Sequence, residues 1–329
     1  MKKVTIYEVA REANVSLATV SRVINGSGAV KKTTRERVAK AIEDLGYRPN
    51  AIAQGLALSR TTSIGLVVPE AAFSTIAPII NGLCDVAKLY DYTIQLHTIT
   101  EGITDIAEVI DQTIKSRVDG VVIYSDKVLD DSTKLLEQYS IPMVVIGNRI
   151  SSNSVCSVYI DFKKAIQELC DDYLERDIEN IAILEDRKNE NITNELLEGA
   201  KESYANHKKE FNNLVLISNS TRSTYKFLRT YFRNHRHQLM VVNRDSQAMA
   251  VLNAAKENGI NVPEDMELVC MSDSKYNSMV RPEISAFTIP TYDVGAIAMR
   301  LMTKILKGEE VEETEKVLNC LLQERETTK

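Results

Sequence analysis

The 329-residue sequence contains no apolar run approaching the roughly 18 residues a membrane-spanning helix needs, so no transmembrane segment is expected. Charged residues interrupt the stretch after the two N-terminal lysines, and a signal peptide is not expected either. The five cysteines, Cys84, Cys156, Cys170, Cys270 and Cys320, form neither a CxxC pair nor a metal pattern. Their scatter among mostly apolar neighbours suggests reduced core thiols in a cytoplasmic protein. No phosphate loop of the GxxxxGKT kind, no GxSxG elbow and no HExxH occurs. Without a catalytic constellation, neither an enzyme, a cofactor nor a bound metal is expected. His235 and His237 in "RNHRH" read as a solvated helix end rather than a metal site.

Carboxylates are scarce in only one region. Residues 1–60 hold 11 Lys or Arg against 5 Asp or Glu, whereas the remainder holds 29 against 41. A small basic head on an acidic body suggests that only the head meets a polyanion. The composition, 44% apolar and 26% charged, argues against disorder, and the length allows two or three domains with a sizeable core.

The head reads as three short helices. Thr5 and Glu8 have capping-box spacing ahead of "IYEVAREA", with Ile6, Val9 and Ala10 on one face. Asn14 stands where a helix end needs a residue that tolerates positive φ. Ser16 caps the next helix, "LATVSRVI", so the two form a helix-turn-helix. A second capping box, Thr33 to Glu36, opens a third helix with Val38, Ile42 and Leu45 inward, stopped by Gly46 and Pro49.

On the second helix Val20 and Val23 face the small core, while Leu17, Ala18, Ser21 and Arg22 face outward. Small side chains let the backbone sink close to base edges, and Arg22 can hold a guanine O6/N7 pair bidentately. Leu17 and Ala18 suit thymine methyls; Thr5, Ser16 and Thr19 suit phosphate oxygens. A surface helix with an incidental arginine is the other reading, but it leaves the missing carboxylates unexplained. Next, in "YRPNAIAQGLALSRTTS", Asn50 can cap a short helix over Ala51–Leu58 that is too short to persist alone. Leu56 is its exposed apolar residue and can act as a wedge between minor-groove base steps. A plain interdomain linker is the other reading of this stretch. Tyr7, Asn25, Tyr47, Ala53 and Ala57 complete the set expected at the DNA.

"VTIYEVAREANVSLATVSRVING…YRPNAIAQGLA" resembles the DNA-binding head and hinge of the LacI/GalR family of bacterial regulators over about 60 residues. The resemblance implies that Leu56 is the minor-groove wedge and Arg22 a base reader. It also implies a homodimer on a pseudo-palindromic, double-stranded operator. Asn14 replaces the usual glycine of the turn, and Gln54 stands where many members carry arginine.

From Ser63 onward short apolar runs alternate with helical stretches. One series is "IGLVVPE", "YTIQLHTI", "VDGVVIYS" and "IPMVVIGN"; the other is "IAILED", "LVLISNS", "LMVVNRD" and "LVCMSD". Helical windows cover Ile103–Ser116, Phe162–Arg176 and Asp245–Asn258. The expected fold is an N-terminal all-α helix-turn-helix head with a hinge helix, followed by an α/β two-lobed core of doubly wound parallel sheets. The resemblance likens that core to periplasmic sugar-binding proteins. The boundaries are 1–49 for the head, 50–61 for the hinge helix and linker, and 62–329 for the core. Its first lobe spans about 62–161 and 290–320, its second about 162–289 and 321–329.

Family members that bind a small effector carry an arginine in an "RxxG" turn and an aspartate after the last apolar strand of the second lobe. Here Leu196 occupies the first position and Ser272 the second, with Asp273 one place later. Phe73, Asp161 and Asp273 are the candidate cleft residues for a sugar or sugar phosphate. "MVRPEISAFTIPTYDVGAIAMRLMTK" resembles the catabolite-control branch of the family, which is regulated by the phosphocarrier HPr phosphorylated on a serine. By that resemblance Tyr90, Tyr292, Asp293, Ile297, Arg300 and Lys304 face the corepressor. Ile297, Arg300 and Lys304 share one helical face, and Arg300 can hold a phosphoserine with a charge-assisted fork. An amphipathic helix with Ile297 inward and two ordinary surface cations is the plain alternative. A sugar-operon repressor with a cleft ligand, or a paralogue with altered effector control, is the other functional reading.

Overall fold

The computed structural model describes residues 4–24, 26, 30–47, 61–70, 73–100, 105–125, 133–152, 154–185, 190–217 and 220–329. Two compact units result, residues 1–63 with 117–119, and residues 64–116 with 120–329. In the first, helices α1 (Ile6–Glu12), α2 (Leu17–Ile24) and α3 (Lys32–Leu45) surround Val9, Val20 and Val38, all fully buried. At the start of α1 the Glu8 carboxylate accepts the Thr5 N–H at 2.7 Å and its hydroxyl at 3.0 Å. Asn14 takes φ 48° in the turn, and Ser16 caps α2 by accepting the Thr19 N–H at 3.2 Å. The helix α3 departs from expectation at its start. It begins at Lys32 with Lys31 as N-cap, which makes no side-chain cap bond, so Thr33 lies inside the first turn rather than capping it. Gly46, at φ 61°, ends it.

The second unit contains two six-stranded sheets. Sheet one joins β1 (Ser63–Pro69), β2 (Thr93–Ile99), β3 (Gly120–Tyr124), β4 (Met143–Ile146), β5 (Val155–Ile160) and β11 (Glu315–Leu318) in the order β11-β5-β4-β3-β1-β2. Sheet two joins β6 (Ile181–Leu184), β7 (Leu214–Val215), β8 (Leu239–Val242), β9 (Glu267–Cys270), β10 (Ser285–Thr288) and β12 (Leu321–Gln323) in the matching order β12-β10-β9-β8-β6-β7. Strands β1 and β3, β3 and β4, β4 and β5, β5 and β11, β6 and β7, β6 and β8, β8 and β9, and β9 and β10 pair parallel, and β10 and β12 antiparallel. Central strands such as β3 and β4 are almost wholly buried, the signature of sheets covered on both faces. The remaining described helices are α4 (Phe73–Leu89), α5 (Ile106–Lys115), α6 (Thr133–Gln138), α7 (Phe162–Glu175), α8 (Glu190–Asn206), α9 (Thr221–Tyr231), α10 (Asp245–Glu257) and α11 (Thr291–Lys307). The chain leaves sheet two after β10, so α11 packs on α4 and beneath β3–β5 of sheet one.

His237 corrects one expectation. It is only 8% exposed, unlike its solvent-facing neighbour His235. The Asn180 Oδ1 lies 2.8 Å from its Nδ1 and the Tyr231 hydroxyl 2.7 Å from its Nε2. Since an amide oxygen only accepts, Nδ1 carries the proton and Nε2 accepts from the tyrosine. Burial, with His235 adding to it, pushes His237 down from 6.5 to about 4. Between those values the unfolded chain binds the extra proton, so stability present above pH 6.5 is lost as pH falls towards 4. The advantage of the native protein over His237→Gln should therefore shrink by up to about 3 kcal/mol across that window. Urea unfolding of both proteins measures this, and an advantage independent of pH would contradict a buried neutral ring.

Candidate nucleic-acid interface and regulatory surface

The head presents a polar face with large exposed side chains. Tyr7 is 70% exposed on α1, and Leu17 is 38% exposed at the start of α2. Ala18 and Arg22 are exposed and Ser21 half-buried, so one side of α2 offers small residues flanking a single guanidinium. Ser16 and Thr19 pair through their hydroxyls at 2.8 Å beside the N-terminal amides of α2, where positive helix-dipole charge suits a phosphate. Tyr47 is half-buried against the head's core. Of the expected DNA set, Asn25, Asn50, Ala53, Leu56 and Ala57 lie outside the described residues. Arg22→Ala should relax selectivity at one base pair by about 1–3 kcal/mol. Binding to a panel of single-substitution operators measures it, and an unchanged base preference removes Arg22 as a reader.

In the second unit the carboxyl ends of both sets of parallel strands carry polar side chains. Asp161 follows β5 and caps α7, accepting the Lys164 N–H at 2.8 Å. The amides of Phe162 and Lys163, at the same helix start, favour the charged form of Glu195 of α8. Burial raises Glu195 to about 7 against the pull of those amides, with Asp161 and Glu198 pushing the same way. Asn191 donates to Glu195 and to the Gly147 carbonyl after β4, each at 3.3 Å, so a side chain of one lobe bonds the backbone of the other.

The candidate cleft residues are differently engaged. Both oxygens of Asp273 accept from Arg325, at 3.0 and 2.6 Å, in a pair whose side chains are 20% and 16% exposed. Arg325 also donates to the Ile284 carbonyl at 2.7 Å. Leu196 is buried in the core, so its position offers no polar contact. The side chain of Phe73 lies outside the described residues. Sequence reasoning missed Asn243. This buried residue follows β8, and its Nδ2 lacks a partner.

The α4–α11 pair forms a distinct surface. A Cβ on Gly82 would come within 2.0 Å of the Tyr292 carbonyl oxygen, and one on Gly295 within 1.9 Å of that of Ile79. The two helices therefore approach with backbone against backbone, which only glycine permits. Around this crossing Tyr292 is exposed and donates from its hydroxyl to Asp85 at 3.2 Å. Tyr90, at the end of α4, lies 4.3 Å beneath the Lys307 ammonium, a cation–π contact. Asp293, Arg300 and Lys304 are exposed along α11, whereas Ile297 is half-buried against the core. No ion pair engages Arg300 or Lys304 among the described residues. Asp85, Lys88 and Lys307 belong to this surface and were not anticipated. Lys307 lies one helical step beyond Lys304, a spacing from which it could have been read.

The sequence profile of bacterial regulatory proteins of the lacI family matches residues 5–50, and that of the periplasmic binding protein-like domain matches residues 170–328. Catabolite control protein A of Staphylococcus xylosus is 33% identical over 329 residues, covering 99% of both chains. The protein of the same name from Priestia megaterium is 32% identical over 99% of both. Among solved structures, the lac repressor dimer bound to operator and the anti-inducer ONPF superposes with a TM-score of 0.88 over 99% of both chains, at 21% identity. The transcription regulator CcpA of Lactococcus lactis gives a TM-score of 0.70 at 26% identity, covering 82% of this chain and 100% of that one. The chain belongs to the LacI family: it is a DNA-binding transcription regulator, with a helix-turn-helix head and a two-lobed α/β core, and not an enzyme. Its full-length similarity is to catabolite control proteins A. No described helix is long and apolar enough to cross a membrane.

Proposed function

We propose that the protein works as a homodimer of the catabolite-control type, whose affinity for a pseudo-palindromic operator is raised by HPr phosphorylated on a serine. One observation carries this reading. The glycine-mediated crossing of α4 and α11 brings Tyr90 next to a helix bearing Tyr292, Arg300 and Lys304, the last two being cations free of ion pairs among the described residues. Exposed aromatics beside unpaired cations suit a partner that brings an apolar patch and one phosphate. Arg300 would fork onto the phosphate, Lys304 would add charge, and the two tyrosines would anchor the contact. Full-length similarity to catabolite control proteins A supports the same partner. Arg22 would read bases, with Leu56 wedging the operator centre. Calorimetric titration of HPr into the regulator without DNA tests the surface. The serine-phosphorylated form should bind at least about tenfold tighter than the unmodified form, the worth of one charge-assisted contact. Equal binding of both forms would refute the phosphate site.

A repressor governed by a ligand in the cleft is the second reading. The buried, unpartnered Asn243 amide favours it, and a solved relative at 27% identity is the transcriptional regulator CelR in complex with cellobiose. Against it stand the buried Leu196 and an Asp273 already occupied by Arg325.

A further inference from the structure

Just before β1 the backbone takes an unusual path. Thr62, a β-branched residue, has φ 49°, and Arg117, in the loop before β3, has φ 61°. The left-handed region is costly for a β-branched side chain, and such a residue persists there only when its surroundings over-determine it. Here one carboxylate does so. Asp119 accepts the Thr61 N–H at 2.8 Å and the Thr61 hydroxyl at 2.9 Å through one oxygen, and the Thr62 N–H at 2.8 Å through the other. Its own N–H donates to the Ser63 carbonyl at 2.7 Å. Four hydrogen bonds thus tie residues 61–63 to a loop that continues directly into β3, whose Gly120 pairs with Ile64 of β1. Charge-assisted bonds to a half-buried carboxylate are stronger than neutral ones, and several on one group act together.

From this we infer that Asp119 is a positioning residue for operator recognition: it fixes the backbone of residues 61–63, where the chain enters β1. This stretch of chain joins the DNA-binding segment to the core, and its stiffness sets how well an operator of one spacing is distinguished from others. Without the clasp the threonines regain backbone freedom. Specific binding then costs more ordering, while head contacts with phosphates remain. In its spacing arm the inference rests on the dimer reading. In its backbone arm it does not.

The test uses the full-length protein, Asp119→Ala, and Thr61→Val, which removes the hydroxyl bond alone. Hydrogen exchange at the Thr61 and Thr62 amides is read first, with thermal unfolding of the core as the control for folding. Loss of charge-assisted acceptors should speed exchange on the order of tenfold in Asp119→Ala, with a smaller effect in Thr61→Val. Sedimentation then establishes the dimer, and fluorescence anisotropy measures affinity for operators whose half-site spacing differs by one base pair. The inference predicts about tenfold weaker binding to the preferred spacing, a flattened spacing preference, and unchanged affinity for non-specific DNA. Unchanged exchange would show that the bonds do not hold the segment. Faster exchange with an intact spacing preference would reduce the clasp to a structural role. A monomer in sedimentation would refute the dimer reading while leaving the exchange result to decide the clasp. If Asp119→Ala unfolds the core, Thr61→Val alone decides by the same measures.

Discussion

Gly295→Ala is expected to destabilise the core by at least about 3 kcal/mol, the upper range for overpacking a tight interior. The new methyl would meet the Ile79 carbonyl oxygen at 1.9 Å and the Leu83 nitrogen at 3.0 Å, all backbone atoms of α4 that cannot rotate aside. To accept it the helices must separate, which opens space around Leu83, Val294, Ala298 and Met299, now buried. Gly82→Ala should do the same from the other side, because its methyl meets the Tyr292 carbonyl oxygen at 2.0 Å. Once one methyl has forced the helices apart the second meets less resistance, so the double variant should lose less than the sum. Urea unfolding of the three variants measures this; midpoints equal to the native protein's would show that α4 and α11 do not cross this closely. Either substitution should also weaken binding of the proposed phosphorylated partner, since α11 carries Tyr292 and Arg300 and α4 leads into Tyr90.

Arg300→Ala is expected to abolish the proposed increase in operator affinity with serine-phosphorylated HPr, a coupling of about 1–3 kcal/mol or 5–150-fold. Arg300 is exposed and engages in no ion pair among the described residues, so its removal should leave folding and operator binding without HPr unchanged. Lys304→Ala should reduce the coupling without abolishing it, because an ammonium contributes charge but not a planar fork. Full coupling retained in Arg300→Ala would move the phosphate contact elsewhere.

Much of this molecule is legible in the sequence. Ser16 caps α2, Gly46 stops α3, and the long apolar runs of β1, β3, β4, β6, β8 and β9 mark strands buried on both faces. What escaped has physical causes. The strand β5, "VCSVYI", mixes a serine and a cysteine into its run, and the buried Ser157 hydroxyl lies against the backbone of Ile150. At β7 the sequence "LVLISNS" suggests a full strand, yet among its described residues only Leu214–Val215 are strand, with Leu216 54% exposed. Strands β11 and β12 lie on sheet edges, where half-exposed residues leave little pattern. The buried state of His237 depends on Asn180 and Tyr231, the first 57 residues distant. Capping at α3 failed as an expectation because Thr33 had a competitor two residues earlier whose backbone alone turns the chain into the helix.

At the candidate site the same division holds. Helical spacing places Arg300 and Lys304 on one face, and composition singles out α2 as the candidate DNA reader. Neither reveals that Tyr90 meets Lys307, that Asp85 meets Tyr292, or that Asp273 is taken by Arg325, since each contact joins segments far apart in the chain. Glycine is informative only with the partner helix in view. Gly82 and Gly295 look like ordinary helix-weakening residues until the crossing shows what a methyl would strike.

The most direct test of the central claim is fluorescence anisotropy of a labelled pseudo-palindromic operator titrated with the regulator. It is run alone, with unmodified HPr, and with serine-phosphorylated HPr, at one fixed salt concentration. Tighter binding with the phosphorylated form alone, and no such gain in Arg300→Ala, is the predicted result. Operator affinity indifferent to both forms of HPr would contradict the account and favour control by a cleft ligand.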